Sequence, residues 1–456
     1  MLGIGRRAIS WRVLFQMATV GLYTGVVKIA GGAKVVLTAR AFGMSDGLDA
    51  YLIAFLLPSF LCDMLAGPLN SALVPTFIEV RQREGPDAAH RLYRSALAAG
   101  AGLMTLAAMA LALFAPWVLR LLASSFNADK LALTCSLFWV MLPIAPLTAF
   151  IIIWRSLLNT AGRFAVPAVL PALTPLSSIV FLLLYGREWG VYSLAAGTLV
   201  GAAIEVALLG VYVARRGFPI LPRWFGRNPA LDQVAMQYGP VISGIFLLGG
   251  APIIDQGIAG MLGPGNVAAL NYGTRLSVVL AAIGPSAVAT AILPHFSEMT
   301  VNLDWKHVRQ SLRSYAAVIL AITLPVIAIL IVFSEPLVRL FFQRGEFTGA
   351  DTPLVTAVQR FSLLAIPSGM VMALVLRLIS SMKANFMLVR AAGLYAVLNL
   401  TLDLLLTRWL GIEGITLSMA IVQFICLAYL WRRLDREFTP RLEPDPRLPE
   451  QPIETR

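Results

Sequence analysis

Five basic residues lie inside long apolar runs, where a charge is costly, and four of them are the stronger candidates for binding a substrate. Lys28 and Lys34 lie in the first run, Arg275 in a run near the middle of the chain, and Arg377 in a later one. A charge at mid-bilayer costs at least about 2.5 kcal/mol, so each side chain must face a cavity or a partner. Clustered cations suit an anionic substrate, and the pattern predicts a cleft that binds one. The alternative, in which these side chains pair structurally or reach the membrane edge, stays open.

Other charged residues in or beside the apolar runs give less specific signals. Asp49 stands at the start of the second run, and Asp63 lies within it. For Asp63 and Arg360 the functional and structural interpretations are equally supported. Glu205 is expected to be a structural partner of another side chain.

Asn399 and Asp403 form a second constellation, because residues spaced i, i+4 project from one face of a helix. Together with Asp255 they offer hard oxygen ligands for a small cation, and Thr416 or Ser418 completes the shell. This pattern predicts a sodium or proton site. The alternative is an Asn–Asp hydrogen bond that only joins helices.

The elements that position these residues are membrane helices. Of 456 residues, 58% are hydrophobic and 13% are charged, whereas soluble domains carry about 25% charged residues. Apolar runs long enough to cross a bilayer core of about 30 Å recur along the whole chain. The sequence therefore predicts an all-α polytopic membrane protein with twelve spans: 14–39, 50–78, 95–118, 132–154, 164–186, 190–213, 234–262, 266–294, 314–334, 354–382, 386–407 and 413–431.

The basic residues outside the spans predict the topology. With the N-terminus inside, 24 of the 36 Lys and Arg residues fall on the cytoplasmic side and 7 on the other. Because positive charge concentrates in cytoplasmic loops, both termini are predicted to be cytoplasmic. The net charge of +12 is spread over short loops rather than one face, so no nucleic-acid partner is expected. The charged, Pro-rich segment 433–456 is predicted to be a disordered cytoplasmic tail.

An internal repeat divides the spans into two halves. Three sequence blocks recur at a common offset near 219 residues: Pro75-x-Phe77-x-Glu79 as Pro294-x-Phe296-x-Glu298, Arg94-Ser95 as Arg313-Ser314, and Pro116…Arg120-Leu121 as Pro336…Arg339-Leu340. The repeat predicts a six-helix lobe at 1–213, a cytoplasmic linker at 214–233 and a second lobe at 234–432. An even number of helices per copy makes the repeats parallel, as in transporters whose lobes rock around a central cleft.

Catalysis is not expected. The three histidines, His90, His295 and His307, lie in predicted loops with no plausible nucleophile nearby. The three cysteines are isolated in apolar runs, so neither a disulfide framework nor a metal cluster is supported. The loops are too short for an aqueous catalytic domain.

Several blocks resemble the MurJ (MviN) lipid II flippases of the multidrug/oligosaccharidyl-lipid/polysaccharide (MOP) exporter superfamily. They are Ala39-Arg40-x-Phe42-Gly43 with Asp49-Ala50, Gly162-Arg163-Phe164-x-x-Pro167-Ala168, Leu262-Gly263-Pro264-Gly265-x-Val267-Ala268-Ala269-Leu270-Asn271-Tyr272-x-x-Arg275-Leu276, Ala291-x-Leu293-Pro294-x-Phe296-Ser297, and Phe341-x-x-Arg344-Gly345-x-Phe347…Asp351-Thr352. The resemblance implies a V-shaped, two-lobed, alternating-access transporter of undecaprenyl-diphosphate-linked sugars in the bacterial inner membrane.

The resemblance also implies roles for individual residues. Lys28 and Lys34 stand where the family has two arginines that meet the diphosphate, while Asp49 and Arg275 match family residues directly. Arg377 matches a basic position. Asp255, Asn399 and Asp403 resemble the sodium site described for some members.

This chain departs from the family pattern at some positions. Met419 stands where the sodium-site threonine is expected, and twelve spans are predicted where the family has fourteen. The expected function is a flippase for lipid II or an exopolysaccharide precursor, with no cofactor, and with sodium, protons or the membrane potential as the energy source. Expected partners are the lipid-linked glycan, membrane lipids and envelope-synthesis proteins. A drug/cation antiporter and a non-transporting scaffold of cell-wall or exopolysaccharide assembly remain as alternatives.

Overall fold

The computed structural model describes residues 11–226, 229–236, 249–281, 305–382 and 386–442. Within these ranges the regular structure is helical, with no β-strand. Shorter helical stretches occupy 229–236 and 275–281, and a 3-10 turn, Leu170–Ala172, joins α6 to α7. The helices are α1 (Trp11–Phe42), α2 (Asp46–Arg83), α3 (Pro86–Leu122), α4 (Ala128–Met141), α5 (Ile144–Thr160), α6 (Ala165–Val169), α7 (Leu173–Trp189), α8 (Tyr192–Arg215), α9 (Ala251–Met261), α10 (Asn266–Gly273), α11 (Trp305–Val332), α12 (Ser334–Phe342), α13 (Thr352–Leu363), α14 (Ala365–Ser381), α15 (Phe386–Leu410) and α16 (Ile412–Leu442).

The described residues contain ten helical stretches long and apolar enough to cross a membrane. This confirms the prediction of an all-α polytopic membrane protein. The predicted spans 234–262 and 266–294 run into 237–248 and 282–304, which lie outside the described residues, as does the repeat block at 291–298. The ten stretches are Thr19–Phe42, Asp46–Met64, Pro86–Leu122, Ala128–Thr160, Ala165–Trp189, Tyr192–Arg215, Trp305–Val332, Thr352–Ser381, Phe386–Leu410 and Ile412–Phe438.

Large apolar side chains are exposed along these stretches. Leu113 and Leu183 are each 68% exposed, and Trp409 is 84% exposed. Extensive apolar surface of this kind marks an interaction site in a soluble protein. On helices of membrane-spanning length, the hydrocarbon of the lipid covers it.

The fourth predicted span is divided in the structure. Helix α4 ends at Met141, Pro143 occupies the position before α5, and α5 continues to Thr160. Proline lacks an amide hydrogen and crowds the preceding turn, which explains the break. The extension of α5 beyond the predicted end at 154 places Arg155 inside a helix rather than in a loop.

The chain forms two compact units. The first comprises Met1–Ala269 and Arg339–Thr352, and the second comprises Leu270–Val338 and Pro353–Arg456. The first unit therefore includes segments that the repeat assigns to the second predicted lobe. The division into lobes at 214–233 follows from the repeat and stays a prediction.

In the first unit, α2 packs against α3, α4 and α5, and α7 packs along α8. Two small residues on α8 allow this close approach. A side chain at Gly197 would meet the Ser178 Cα at 2.6 Å, and one at Gly201 would meet the Thr174 Cα at 2.6 Å. Small residues spaced by four are a common device for packing membrane helices. The contact places Thr198 of α8 within 3.0 Å of the Ser178 hydroxyl on α7.

In the second unit, α14 and α15 pack against α16, and α11 packs against α14 and α16. Helix α16 continues to Leu442, so residues 433–442, predicted as part of a disordered tail, are helical. The reason is an apolar stripe spaced i, i+4: Leu430, Leu434 and Phe438 are 0–1% exposed and join the core of this unit. Residues 443–456 lie outside the described residues.

Candidate functional site

Lys34 lies in a cluster of hydroxyl groups formed by α1, α2, α7 and α8. Its Nζ donates to Tyr51 Oη at 3.2 Å and to Thr198 Oγ1 at 3.3 Å. The Tyr51 and Thr198 hydroxyls lie 3.3 Å apart, and Thr198 also contacts Ser178. The hydrogen bonds of Lys34 in the described part of the chain are thus with neutral groups. The cluster holds the ammonium in place and leaves its positive charge available to an anion.

Lys28 lies on the same helix, six residues earlier. At 1.5 Å and 100° per residue, the two lysines are about 9 Å apart along α1 and about 120° apart around it. Lys28 is exposed, whereas Lys34 is half-buried. Since both lie within a predicted membrane span, α1 carries two cations into the membrane region on different faces of one helix.

Asp49 lies at the centre of a buried hydrogen-bond cluster at the start of α2. Its Oδ2 accepts from Lys130 Nζ at 3.0 Å and from the Gly265 amide at 2.7 Å, and its Oδ1 accepts from the Ala268 amide at 2.9 Å. The Asp49 side chain is 0% exposed. We call these four residues the Asp49 node. In this conformation the carboxylate is occupied by protein groups, so its direct role in substrate binding stays a prediction.

The local sequence explains how the node forms. Ser45 caps α2 by accepting from the Leu48 amide, so the first turn of α2 begins at Asp46 and points Asp49 inward. Gly263 and Gly265 have φ angles of +118° and +80°, which let the chain turn immediately before α10. The first amides of a helix lack acceptors within that helix. Asp49 supplies an acceptor from another helix, and its negative charge suits the positive end of the α10 dipole.

A second contact in the same unit joins the end of α1 to the loop that follows α12. The Glu346 amide donates to the Arg40 carbonyl at 3.0 Å. Gly345 and Gly43 have φ angles of +63° and +53°. A side chain at Gly345 would collide with the Arg40 carbonyl, and one at Gly43 with the Glu346 carbonyl. Two blocks that carry the family resemblance therefore pack backbone to backbone.

The remaining predicted substrate residues belong to the second unit. Arg275 is half-buried and begins the helical stretch 275–281, while Arg377 on α14 is exposed. Arg360 on α13 is also exposed. The prediction that these side chains share one cleft with Lys28 and Lys34 stays a prediction.

Two of the predicted cation ligands contact each other within the second unit. Asn399 Nδ2 donates to Asp403 Oδ2 at 3.1 Å, and both residues are 0% exposed on α15. Thr416 and Ser418 are also 0% exposed, on the adjoining α16. The donor set of carboxylate, amide and hydroxyl oxygens fits a hard cation such as sodium. Asp255 is buried in the first unit, and its part in such a site stays a prediction.

Two charged contacts in the first unit involve residues that the sequence reasoning assigned to loops. Glu205, which is 3% exposed, pairs with Arg155, and this confirms its predicted structural role. Lys130, which is 7% exposed, pairs with both Asp46 and Asp49. In the sequence, Asp46 and Asp49 stand at the start of α2 on the same predicted side of the membrane as Lys130. This pattern could have predicted the ion pairs.

The fold defines a class of protein, the all-α polytopic membrane proteins, and solved structures share this fold. A solved structure entitled "Lipid II flippase MurJ, inward closed conformation" matches with a TM-score of 0.79 at 21% identity, covering 92% of this chain and 89% of that one. An inward-facing multidrug resistance MATE family transporter of the MOP superfamily matches with a TM-score of 0.74 at 15% identity, covering 90% of this chain and 95% of that one.

The family model for "Lipid II flippase MurJ" matches residues 38–444, and the chain belongs to this family. A probable lipid II flippase MurJ of Vibrio cholerae serotype O1 is 24% identical over 442 residues, 93% of this chain and 83% of the relative. The lipid II flippase MurJ of Burkholderia cenocepacia is 28% identical over 361 residues, 75% of this chain and 68% of the relative. The resemblance drawn from the sequence blocks is thereby confirmed.

Proposed function

We propose that this chain is a flippase that carries lipid II, a polyprenyl-diphosphate-linked glycan, across the bacterial inner membrane. Membership of the MurJ family supports lipid II over other lipid-linked glycans, drugs or a scaffold role. The observation that carries the proposal is Lys34: a half-buried ammonium within a membrane span, held by neutral hydroxyls and available to a diphosphate. Both termini lie in the cytoplasm under this proposal.

The cations of the chain supply what a diphosphate needs. Ammonium–phosphate contacts are charge-assisted, and they strengthen where bulk water is excluded. Lys28, Lys34, Arg275 and Arg377 are the residues that contact the diphosphate. The lysine ammonium is a point charge, whereas the arginine guanidinium binds phosphate through two parallel hydrogen bonds. Lys28 and Lys34 therefore attract the headgroup without fixing its orientation.

The Asp49 node has a separate role in this proposal. It joins α2, in the first predicted lobe, to the start of α10, in the second. On the predicted topology the node lies on the outer side of the membrane. It therefore closes the outer end of the cleft, and it opens when the substrate is released.

Replacing Lys34 with alanine tests the substrate role. A hydrogen bond to a charged group contributes about 1.5–3 kcal/mol, so we expect the transport rate to fall about 10- to 100-fold. The measurement is the growth of cells depleted of their own lipid II flippase and supplied with each variant. Lys34→Arg should retain growth, because it keeps the charge.

Lys306→Ala is the matched control, since Lys306 is exposed at the start of α11 and has no proposed role. It should rescue growth as the unchanged chain does. Full rescue by Lys34→Ala at normal protein abundance would contradict the proposal.

We further propose that sodium binds at Asn399 and Asp403 and couples to transport. Sodium chloride should then raise the unfolding temperature of the purified protein above that in potassium chloride. A ligand at 100 times its Kd adds about 2.7 kcal/mol to the free energy of unfolding. Asp403→Asn should abolish the difference between the salts, whereas Asp129→Asn, an exposed carboxylate in the first turn of α4, should keep it. Equal unfolding temperatures of the unchanged protein in the two salts would exclude a sodium site.

A further inference from the structure

A groove between α15 and α16 combines a basic end with apolar walls. It has a volume of about 460 Å³. Arg432, Arg433 and Arg436 line one end, and all three are exposed. On the predicted topology this end of α16 faces the cytoplasm.

The walls of the groove are suited to a hydrocarbon chain. Leu394 of α15 lies on one side, with Phe424, Ile425 and Ala428 of α16 on the other. Phe424 is 65% exposed and lies within a predicted membrane span. From Phe424 to Ala428 the helix rises about 6 Å, so these walls line part of one acyl chain in a leaflet whose hydrocarbon is about 15 Å thick.

The acidic residues beside the arginines are engaged elsewhere. Asp435 Oδ1 accepts from Arg309 Nε at 3.0 Å and lies 3.6 Å from Arg313 Nη2, and both arginines lie on α11. Glu437 is half-buried and has a partner of its own. No ion pair involves the three groove arginines among the described residues. Their charges therefore remain available on the groove side of α16.

Tyr429 lies between the two parts of the groove. Its ring stands 5.7 Å from the Arg433 guanidinium and also lines the groove. Tyrosine favours the boundary between hydrocarbon and headgroups, which places the arginines at headgroup level. Guanidinium groups bind phosphate through paired hydrogen bonds, and basic pockets between spans on the cytoplasmic side bind anionic lipid headgroups.

We propose that this groove holds one anionic phospholipid of the cytoplasmic leaflet. Its phosphate lies among Arg432, Arg433 and Arg436, and one acyl chain lies along Phe424 and Ala428. The site is separate from the cations proposed to bind the transported diphosphate, and it requires no transport for its occupation.

Native mass spectrometry of the delipidated protein, with phosphatidylglycerol or phosphatidylcholine added at equal concentration, tests the proposal. The unchanged protein should retain one phosphatidylglycerol with a preference of at least about tenfold over phosphatidylcholine. The triple variant Arg432→Gln, Arg433→Gln, Arg436→Gln should lose that preference. If the triple variant does not elute as a folded protein, Arg433→Gln alone should lower the preference at least about threefold.

Two further variants separate a built site from general charge attraction. The triple variant Arg91→Gln, Arg163→Gln, Arg215→Gln removes the same charge from exposed positions outside the groove and should keep the preference. Ala428→Trp fills the groove with every arginine intact and should abolish retention.

Three results would overturn the proposal. The first is equal retention of both lipids by the unchanged protein. The second is equal loss in the two triple variants, or retention by Ala428→Trp, because either would indicate surface attraction alone. The third is a result in two parts: undecaprenyl diphosphate displaces phosphatidylglycerol, and its own binding is lost in the groove triple variant. That result would assign the groove to the transported substrate.

Discussion

Replacing Asp49 with alanine removes the shared acceptor of the Asp49 node. The carboxylate accepts from Lys130 Nζ at 3.0 Å and from the amides of Gly265 and Ala268 at 2.7 and 2.9 Å, with the side chain 0% exposed. Removing one partner of a buried ion pair costs about 3–5 kcal/mol. Lys130 keeps its contact with Asp46, so we take the lower value. At about 1.4 kcal/mol per factor of ten, the open form should become about 100-fold more populated.

Labelling of a buried cysteine measures this opening. Ala269, adjacent to the node, is 0% exposed, and a cysteine there should react with a membrane-impermeant maleimide only when the node opens. The background is the chain with Cys62, Cys135 and Cys426 replaced by alanine. When closing is faster than labelling, the rate follows the population of the open form. Asp49→Ala should therefore raise the initial labelling rate about 100-fold.

Asp46→Ala is the matched control, because Asp46 pairs with the same lysine but its side chain is 55% exposed. Exposed ion pairs contribute about 0–1 kcal/mol, so the labelling rate should rise less than about fivefold. An unchanged rate in Asp49→Ala, or equal rates in the two variants, would refute the reasoning that burial of Asp49 makes the node a closure.

Two further predictions concern stability of the first unit. Gly345→Ala should lower the unfolding temperature and the protein yield, because the residue has a φ of +63° and the new side chain meets the Arg40 carbonyl. Gly190→Ala is the control, since Gly190 has a φ of +53° but open space around it. It should lower the free energy of unfolding by only about 1–2 kcal/mol. Equal losses would contradict the role of the Arg40 contact. Arg155→Ala should destabilise by about 3–5 kcal/mol in thermal unfolding, since it strands the buried Glu205, and the double variant Arg155→Met, Glu205→Leu should recover most of that loss. A double variant no more stable than Arg155→Ala would show that the loss comes from packing.

The fold class could be predicted from sequence because apolar length decides it. A helix that crosses lipid needs a run of apolar residues and satisfies its own backbone hydrogen bonds, so each span is a local property. The break at Pro143 and the helical extension past Trp431 were harder to predict. The first depends on one residue within a continuous apolar run, and the second on an apolar stripe, Leu434 and Phe438, hidden among arginines.

In the candidate site as well, the sequence predicts residues that are costly in their local context, but not contacts between distant segments. A cation in an apolar run, such as Lys34, can be recognised from the sequence, because the free-energy cost of placing it in the membrane depends only on the residues around it in the chain. The partners of Asp49 are not visible, since two of them are backbone amides at Gly265 and Ala268, far along the chain. Lys130 was assigned to a loop because its charge sits beside a span end, and only the packing of α4 against α2 shows that it is buried.

The most direct test of the account is transport by the purified protein. Lipid II with a fluorescent peptide stem is placed in liposomes with and without the protein, and a reagent added outside quenches the label that reaches the outer leaflet. The account predicts protein-dependent translocation of lipid II that falls about 10- to 100-fold in Lys34→Ala and is unchanged in Lys306→Ala. The account would be contradicted if lipid II moved no faster than in empty liposomes while the protein transported an exopolysaccharide precursor or a cationic drug.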